Sequence, residues 1–144
     1  MPIRHLSKAL ILALAILCAP VHGQGLTPIL MANGEDKMVC DGVMRFMYTT
    51  PLVNKTIVKA YLFGNLVTHT SYGADVVLWS PAYGGWGPIA DLHIFPATVG
   101  GGRLGDRERS YSPDGIYIAD SHVQVAAVCW GGGTLEIYAA IWVK

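Results

Sequence analysis

Residues 126–144 read AAVCWGGGTLEIYAAIWVK, in which three glycines separate two runs of alternating residues. Glycine suits a three-residue hairpin loop because it adopts positive φ without strain. A loop of residues 131–133 alone places Cys129 opposite Leu135 and gives each strand one fully apolar face, whereas a one-residue slip mixes the faces. The predicted inward residues are Val123, Val125, Ala127, Cys129, Leu135, Ile137, Ala139 and Ile141. The predicted opposite face carries His122, Gln124, Trp130, Glu136, Tyr138 and Trp142.

The rest of the chain has the same strand-like pattern. Short runs of β-branched and aromatic residues alternate with Gly, Pro, Asn and Asp, and no long segment has a 3.6-residue period. Residues 63–66 and 112–115 have turn-type sequences. Residues 24–36 are predicted to be a lead-in strap, and residues 96–114 a long surface loop. The predicted strands are 43–48, 56–63, 66–70, 75–80, 89–95, 115–119, 122–130 and 135–143.

About eight short strands without a helical segment predict an all-β fold. The expected architecture is an antiparallel β-sandwich, because such strands bury one face each against a second sheet. A jelly roll accommodates eight strands and is preferred to an immunoglobulin-like sandwich.

The first residues have the features of a secretory signal. Arg4 and Lys8 precede the uncharged run 9–19, and small residues follow at positions 21 and 23. The run is too short to span a bilayer as a stable helix. Lipid attachment at Cys18 is disfavoured because Leu17 precedes it. We therefore expect residues 1–23 to be removed and residues 24–144 to form one secreted domain, periplasmic or extracellular, with no membrane span.

Two cysteines remain after the predicted signal. Cys40 and Cys129 form an even pair in an exported chain, which predicts one disulfide. Such a bond closes a loop of roughly 90 residues, worth about 4.6 kcal/mol in the chain-entropy model. Two buried free thiols are the alternative.

The charge pattern excludes some partners. The chain has 10 basic and 10 acidic residues, so loss of Arg4 and Lys8 leaves a net charge of about −2. No basic stripe is present, which argues against nucleic acid. The sparse charge, 14% of residues, fits either a homo-oligomer or a large dry core. Residues 100–105 spell G-x-G-x-x-G but no helix pattern follows, so no nucleotide or other cofactor is expected.

Three groups of residues are candidates for binding. The hairpin face combines aromatic rings with polar side chains, which suits a sugar or a protein surface. An uncharged aromatic segment spans residues 79–88, and a charged segment follows glycines 100–102. The candidate binding residues are Trp79, Tyr83, Trp86, Trp130, Tyr138, Trp142, Gln124, Arg103 and Arg107.

Two Asp-x-His pairs carry the alternative chemistry. Residues two apart in a strand share a face, so each pair can present a carboxylate beside an imidazole. The candidate metal-binding or acid–base residues are His69, Asp91, His93, Asp120 and His122. No nucleophile elbow or zinc-protease helix motif is present. We therefore favour a secreted, non-enzymatic binding module for protein or glycan. The alternatives are a small secreted hydrolase or metal-binding protein, and a structural surface component.

Overall fold

The structure, a computed structural model, describes residues 25–67, 73–82, 88–95, 102–111 and 114–144. The predicted secretory signal lies outside this part. Seven strands and no helix occur within it, and all strand pairings are antiparallel, which confirms the all-β prediction there. The described chain also contains no helix long and apolar enough to cross a membrane. The strands are β1 Thr27–Val39, β2 Arg45–Val67, β3 Ala74–Trp79, β4 Ala90–Ile94, β5 Gly102–Ser110, β6 Ile116–Cys129 and β7 Thr134–Val143.

The strands form one curved sheet in the order β1-β7-β2-β6-β3-β4, with β5 added to β2. The 23-residue strand β2 changes partners near Ile57. Its first part pairs with β6, and its second part lies between β7 and β5. We call β1, β7, the second part of β2 and β5 the β7 half. The first part of β2, β6, β3 and β4 make up the β6 half.

The curl of the sheet brings β4 of the β6 half against β2 and β5 of the β7 half. Ile94 of β4 lies so close to Gly64 of β2 that a Cβ atom there would collide with it. A Cβ atom at Gly105 of β5 would lie 3.0 Å from Cγ1 of the same isoleucine. Glycine at both positions therefore leaves the space into which the Ile94 side chain of β4 packs. The fully buried large side chains around this contact include Leu62, Leu66, Val76, Leu78, Val125, Leu135 and Ile137.

The curvature of β2 explains why the described strands form one connected sheet. Tyr48 and Asn54 have φ of 52° and 50°, and the ladder to β6 shifts register between Met47 and Thr49. Such bulges bend a strand and increase its twist. The expected division into two separate sheets is not confirmed, and neither is the jelly-roll or the immunoglobulin-like topology.

Several predicted boundaries are wrong because one long strand replaces two or three short ones. Residues 63–66 continue β2 instead of turning, since they pair with β5 on one side and β7 on the other, and Gly64 leaves room for Ile94. Residues 115–119 and 122–130 likewise belong to one strand, β6, apart from their end residues.

Two segments predicted to be irregular are strands. Residues 27–36 of the predicted strap are part of β1, and residues 102–110 of the predicted loop form β5. Both have few strand-forming residues. Their ladders with β7 and β2 supply the tertiary pairing that overrides weak local propensity.

The predicted pairing of the final hairpin is wrong, but its predicted inward residues are buried; Tyr138, predicted on the opposite face, is buried as well. Within the described ladders β7 pairs with β1 and β2, whereas β6 pairs with β2 and β3, so Cys129 does not oppose Leu135. The glycines at 131–133, all with positive φ, instead carry the chain from one half to the other. The eight predicted inward residues are nonetheless buried, namely Val123, Val125, Ala127, Cys129, Leu135, Ile137, Ala139 and Ile141.

Candidate functional site

A disulfide anchors one end of the sheet. Cys40 is bonded to Cys129, as the cysteine count predicts. The backbone N–H of Gly42 donates to the Cys129 carbonyl at 2.8 Å, and the N–H of Gly132 donates to the Cys40 carbonyl at 2.9 Å. A third bond runs from the Cys40 N–H to the Gly133 carbonyl at 3.1 Å. The segment after β1 is therefore tied to both sides of the glycine loop.

Large apolar side chains are exposed around this anchor. The indole of Trp130 lies against Gly42, where a Cβ atom would be 3.0 Å from Cδ1. Phe46 is 62% exposed although it lies within β2. We call the five exposed residues near the disulfide the apolar patch: Val39, Val43, Met44, Phe46 and Trp130.

An ion pair sits beside the apolar patch. Both terminal nitrogens of Arg45 donate to the carboxylate of Asp41, at 2.8 and 2.7 Å. These bonds, with a further one from the Val43 N–H, hold the pKa of the Asp41 carboxyl far below its usual value. Arg45 and Asp41 beside the patch are therefore already bound to each other in a bidentate ion pair.

A row of aromatic rings continues from the patch across the outer face of the β6 half. Phe46 packs edge-on against Trp79 with ring centroids 6.1 Å apart, and Trp79 packs edge-on against His122 at 6.3 Å. Gln124, directly opposite Trp79 in the β3–β6 ladder, donates to the Thr49 hydroxyl at 3.0 Å. The buried Nε1 of Trp79 has no hydrogen-bond acceptor among the residues that the structure describes. We call Phe46, Trp79 and His122 the aromatic row.

The predicted aromatic face is divided between the two halves. Trp79, Gln124 and Trp130 lie in or beside the β6 half. Tyr138 lies in the β7 half, is only 7% exposed, and covers Gly34. The face was predicted as one surface because β6 and β7 were expected to pair.

The neighbour of Trp142 is a cation rather than another ring of that face. The ammonium of Lys59 lies 4.9 Å from the Trp142 ring centroid and 3.0 Å from the Glu108 carboxylate. Trp142 is partly buried in this arrangement. The tryptophan therefore belongs to a strand-to-strand contact of the β7 half.

Some predicted site residues lie beyond what the structure describes. These are His69, Tyr83, Trp86 and the side chain of Arg103. The backbone of Arg103, in β5, is described and pairs with Leu66 of β2. Arg107 is described and is exposed on β5.

One of the two Asp-x-His pairs does come together, with two further residues. Nδ1 of His93 is 2.5 Å from Oδ1 of Asp75, and Nε2 is 3.4 Å from Oδ2 of Asp91. Nη2 of Arg109 donates to the other oxygen of Asp91 at 2.9 Å. The hydrogen bond to Asp75, and then its charge, raise the pKa of His93 above its ordinary value.

The second Asp-x-His pair, Asp120 and His122, lies on β6 and makes no hydrogen bond or ion pair with the first pair in the described chain. Asp120 pairs with Val53 in the β2–β6 ladder, and His122 packs against Trp79. Among the described residues no three of His, Cys, Asp and Glu are grouped as a metal ion would require. We therefore assign no metal ligand to this part of the chain.

Sequence reasoning missed Phe46, Asp75 and Arg109. Phe46 lies within a predicted strand, opposite Ala126 in the β2–β6 ladder, and nothing in its local sequence indicates its exposure. Asp75 stands directly opposite His93 in the β3–β4 ladder. Arg109 was placed in a loop. The missing signal for Asp75 and Arg109 was the partner strand.

No protein-family model, curated protein or solved structure matches this chain. Its function is therefore argued from the residues themselves.

Proposed function

We propose that this protein is an exported, non-enzymatic binding module that contacts another protein through the apolar patch and the aromatic row. The observation that carries the proposal is the exposure of Phe46, which lies in a strand yet leaves 62% of its surface accessible. Four more exposed apolar side chains lie on the neighbouring segment 39–44 and at Trp130, and exposed apolar surface that is contiguous is typical of interaction sites.

The chemistry of the surface favours a protein partner over a sugar. Aromatic residues, methionine and arginine are enriched at protein interfaces, and the surface carries Phe46, Trp130, Met44 and Arg45. A sugar-binding site needs flat ring faces beside free polar groups. Here Trp79 is engaged edge-on by two rings, and Arg45 is already paired with Asp41.

The surface is held rigidly, which supports a binding role. The disulfide and the three backbone hydrogen bonds around it restrain the segment that carries Val43 and Met44. A surface ordered before binding loses less conformational entropy on association.

Export is part of the same proposal. The Cys40–Cys129 bond fits an oxidising compartment, and residues 1–23 have the pattern of a secretory signal. We also retain a sandwich-like arrangement of the two halves as a proposal, supported by the packing of Ile94 over Gly64 and Gly105.

Photo-crosslinking tests the proposed surface. Phe46 is replaced by p-benzoylphenylalanine, and the protein is irradiated in a culture of the organism that produces it. The matched control carries the same probe at Tyr117, another exposed aromatic residue, whose hydroxyl donates to Asn54 at 2.8 Å. We expect a protein adduct of discrete mass from position 46 and none from position 117.

Other outcomes contradict the proposal in distinct ways. No adduct from position 46, or equal adducts from both positions, argues against a protein-binding surface and favours a structural component. Glycan-array binding that Phe46→Ala abolishes identifies a sugar as the ligand instead. An adduct of twice the chain mass, with light scattering that reports a dimer, identifies the partner as a second copy.

A further inference from the structure

The short strand β4 is held differently on its two sides. On one edge its five residues pair with β3, in register from Ala74 opposite Ile94 to Leu78 opposite Ala90. Its other edge faces β5 with no ladder between them in the described chain. Side chains therefore provide the connections between β4 and β5.

One set of polar contacts surrounds the imidazole of His93 and reaches β5 through Asp91. His93 of β4 has Asp75 of β3 at 2.5 Å from Nδ1 and Asp91 of its own strand at 3.4 Å from Nε2. Arg109 of β5 holds the second oxygen of Asp91 at 2.9 Å. Only the imidazolium has a proton on both ring nitrogens, so only the protonated ring can donate to Asp75 and attract Asp91 together.

We propose that Asp75, His93, Asp91 and Arg109 form a pH-sensitive clasp, which holds β4 to β3 and β5 while His93 is protonated and loosens β4 when it is neutral. With His93 protonated, two carboxylates balance two cations. Loss of the proton leaves a net charge of −1 and removes a donor from between the carboxylates. Arg109 remains on Asp91 in both states because guanidinium does not deprotonate in proteins.

Other charged groups on the described part of β5 act on the clasp or on its surroundings. Arg107 of β5 is near enough to His93 to oppose its protonation, but the bond to Asp75 is the larger effect. Asp106 and Glu108 act on Tyr61 of β2, to which Glu108 is directly opposite in the β2–β5 ladder.

Among the residues that the structure describes, the remaining neighbours of β4 that its contacts identify are uncharged. β2 meets β4 on the interior side, where Gly64 lies against Ile94. The ring of Phe95 is stacked near His93 with centroids 6.4 Å apart. Within the described residues of the clasp, the proton on His93 is therefore the charge that changes as pH rises above 6.5.

The direction of the pH dependence follows from the folded-state pKa, which lies above the ordinary value of 6.5. A histidine whose pKa is raised by folding contributes stability that is fully present below pH 6.5 and is lost as pH rises through the folded value. Loosening of β4 is thus expected on the alkaline side. The clasp acts whether or not the apolar patch binds a partner, so its test is independent of the proposed function.

Two measurements on the purified protein test the clasp. The first is an NMR titration of the histidine ring signals, in which His93 should titrate above pH 6.5 and Asp75→Asn should lower its pKa. The second is hydrogen exchange of the backbone amides of residues 90–94 between pH 5.5 and 8.5, corrected for intrinsic rates. Protection should fall with rising pH, by at most about tenfold for each unit of pKa elevation.

Matched variants make the outcome decisive. His93→Gln should remove the pH dependence of protection in β4, whereas His122→Gln, on the same outer face, should leave it unchanged. A wild-type His93 that titrates at or below pH 6.5 would overturn the clasp. So would a pH dependence that persists in His93→Gln, or a His93 pKa unaffected by Asp75→Asn. The titration needs only the wild-type protein, so a variant that fails to fold does not block the test.

Discussion

The bond between Cys40 and Cys129 joins the residue that follows β1 to the last residue of β6, two strands in opposite halves of the sheet. No ladder links β1 to β6 in the described chain. The disulfide therefore connects parts of the fold that backbone hydrogen bonding within the sheet leaves separate, and it does so beside the apolar patch.

Removal of this bond should lower stability strongly. The cysteines are 89 residues apart, so the double variant Cys40→Ser/Cys129→Ser should lose up to about 4.6 kcal/mol of unfolding free energy, through the greater entropy of its unfolded chain. Urea denaturation of both proteins measures the difference. Recovery of both residues as alkylatable thiols in freshly purified native protein would show that the bond does not form.

Substitution by alanine at two adjacent residues of β7 should lower the free energy of unfolding by different amounts. Ile137 is buried, so Ile137→Ala should cost about 2–5 kcal/mol through lost burial and a cavity. Glu136→Ala should cost about 1 kcal/mol, because the carboxylate accepts from Asn65 at 3.0 Å and pairs with Lys37 at 3.1 Å. Its side chain is only 17% exposed, so it is less solvated than the alternation predicts. A larger loss for Glu136→Ala, measured by urea denaturation, would mean that the two faces of β7 are exchanged.

Glycine at position 115 should be required for two reasons. Its φ is +75°, and a Cβ atom there would lie 2.6 Å from the Ile57 carbonyl oxygen. Gly115→Ala should therefore cost more than the about 1–2 kcal/mol of a left-handed residue alone. Gly25→Ala is the matched control, since Gly25 has φ +78° and open space around it. Equal melting temperatures for the two variants would show that the close approach to Ile57 is absent.

The phenol of Tyr48 should ionise at a higher pH than an ordinary tyrosine. Burial and the hydrogen bond that its hydroxyl donates to Asp36, at 3.0 Å, raise its pKa to about 12. The raised value means that the folded state retains the proton longer than the unfolded state, so stability should fall as pH rises from about 10 to about 12. Absorbance at 295 nm follows the ionisation. The amplitude of one tyrosine near pH 12 should be lost in Tyr48→Phe and should shift to lower pH in Asp36→Asn, and an unchanged titration in Asp36→Asn would contradict this assignment.

Local sequence patterns predicted only part of the candidate sites. Asp91 and His93 were recognised as a pair because residues two apart in a strand share a face. Asp75, which completes the contact with His93, is 18 residues away in sequence and could be identified only from the β3–β4 ladder. The 62% exposure of Phe46 likewise could not be predicted from its position within an alternating strand.

The sequence by itself predicted eight buried side chains within residues 122–143, because side-chain direction alternates along any strand and the apolar set is buried, although Tyr138 of the opposite face is buried as well. It also determined the disulfide, since Cys40 had one possible partner after the predicted signal. Only the tertiary structure decided that β7 lies between β1 and β2, that β5 is a strand, and that Ile94 closes over Gly64. Ladder hydrogen bonds join backbone groups that nearly every residue shares, so the choice of partner strand depends on long-range packing.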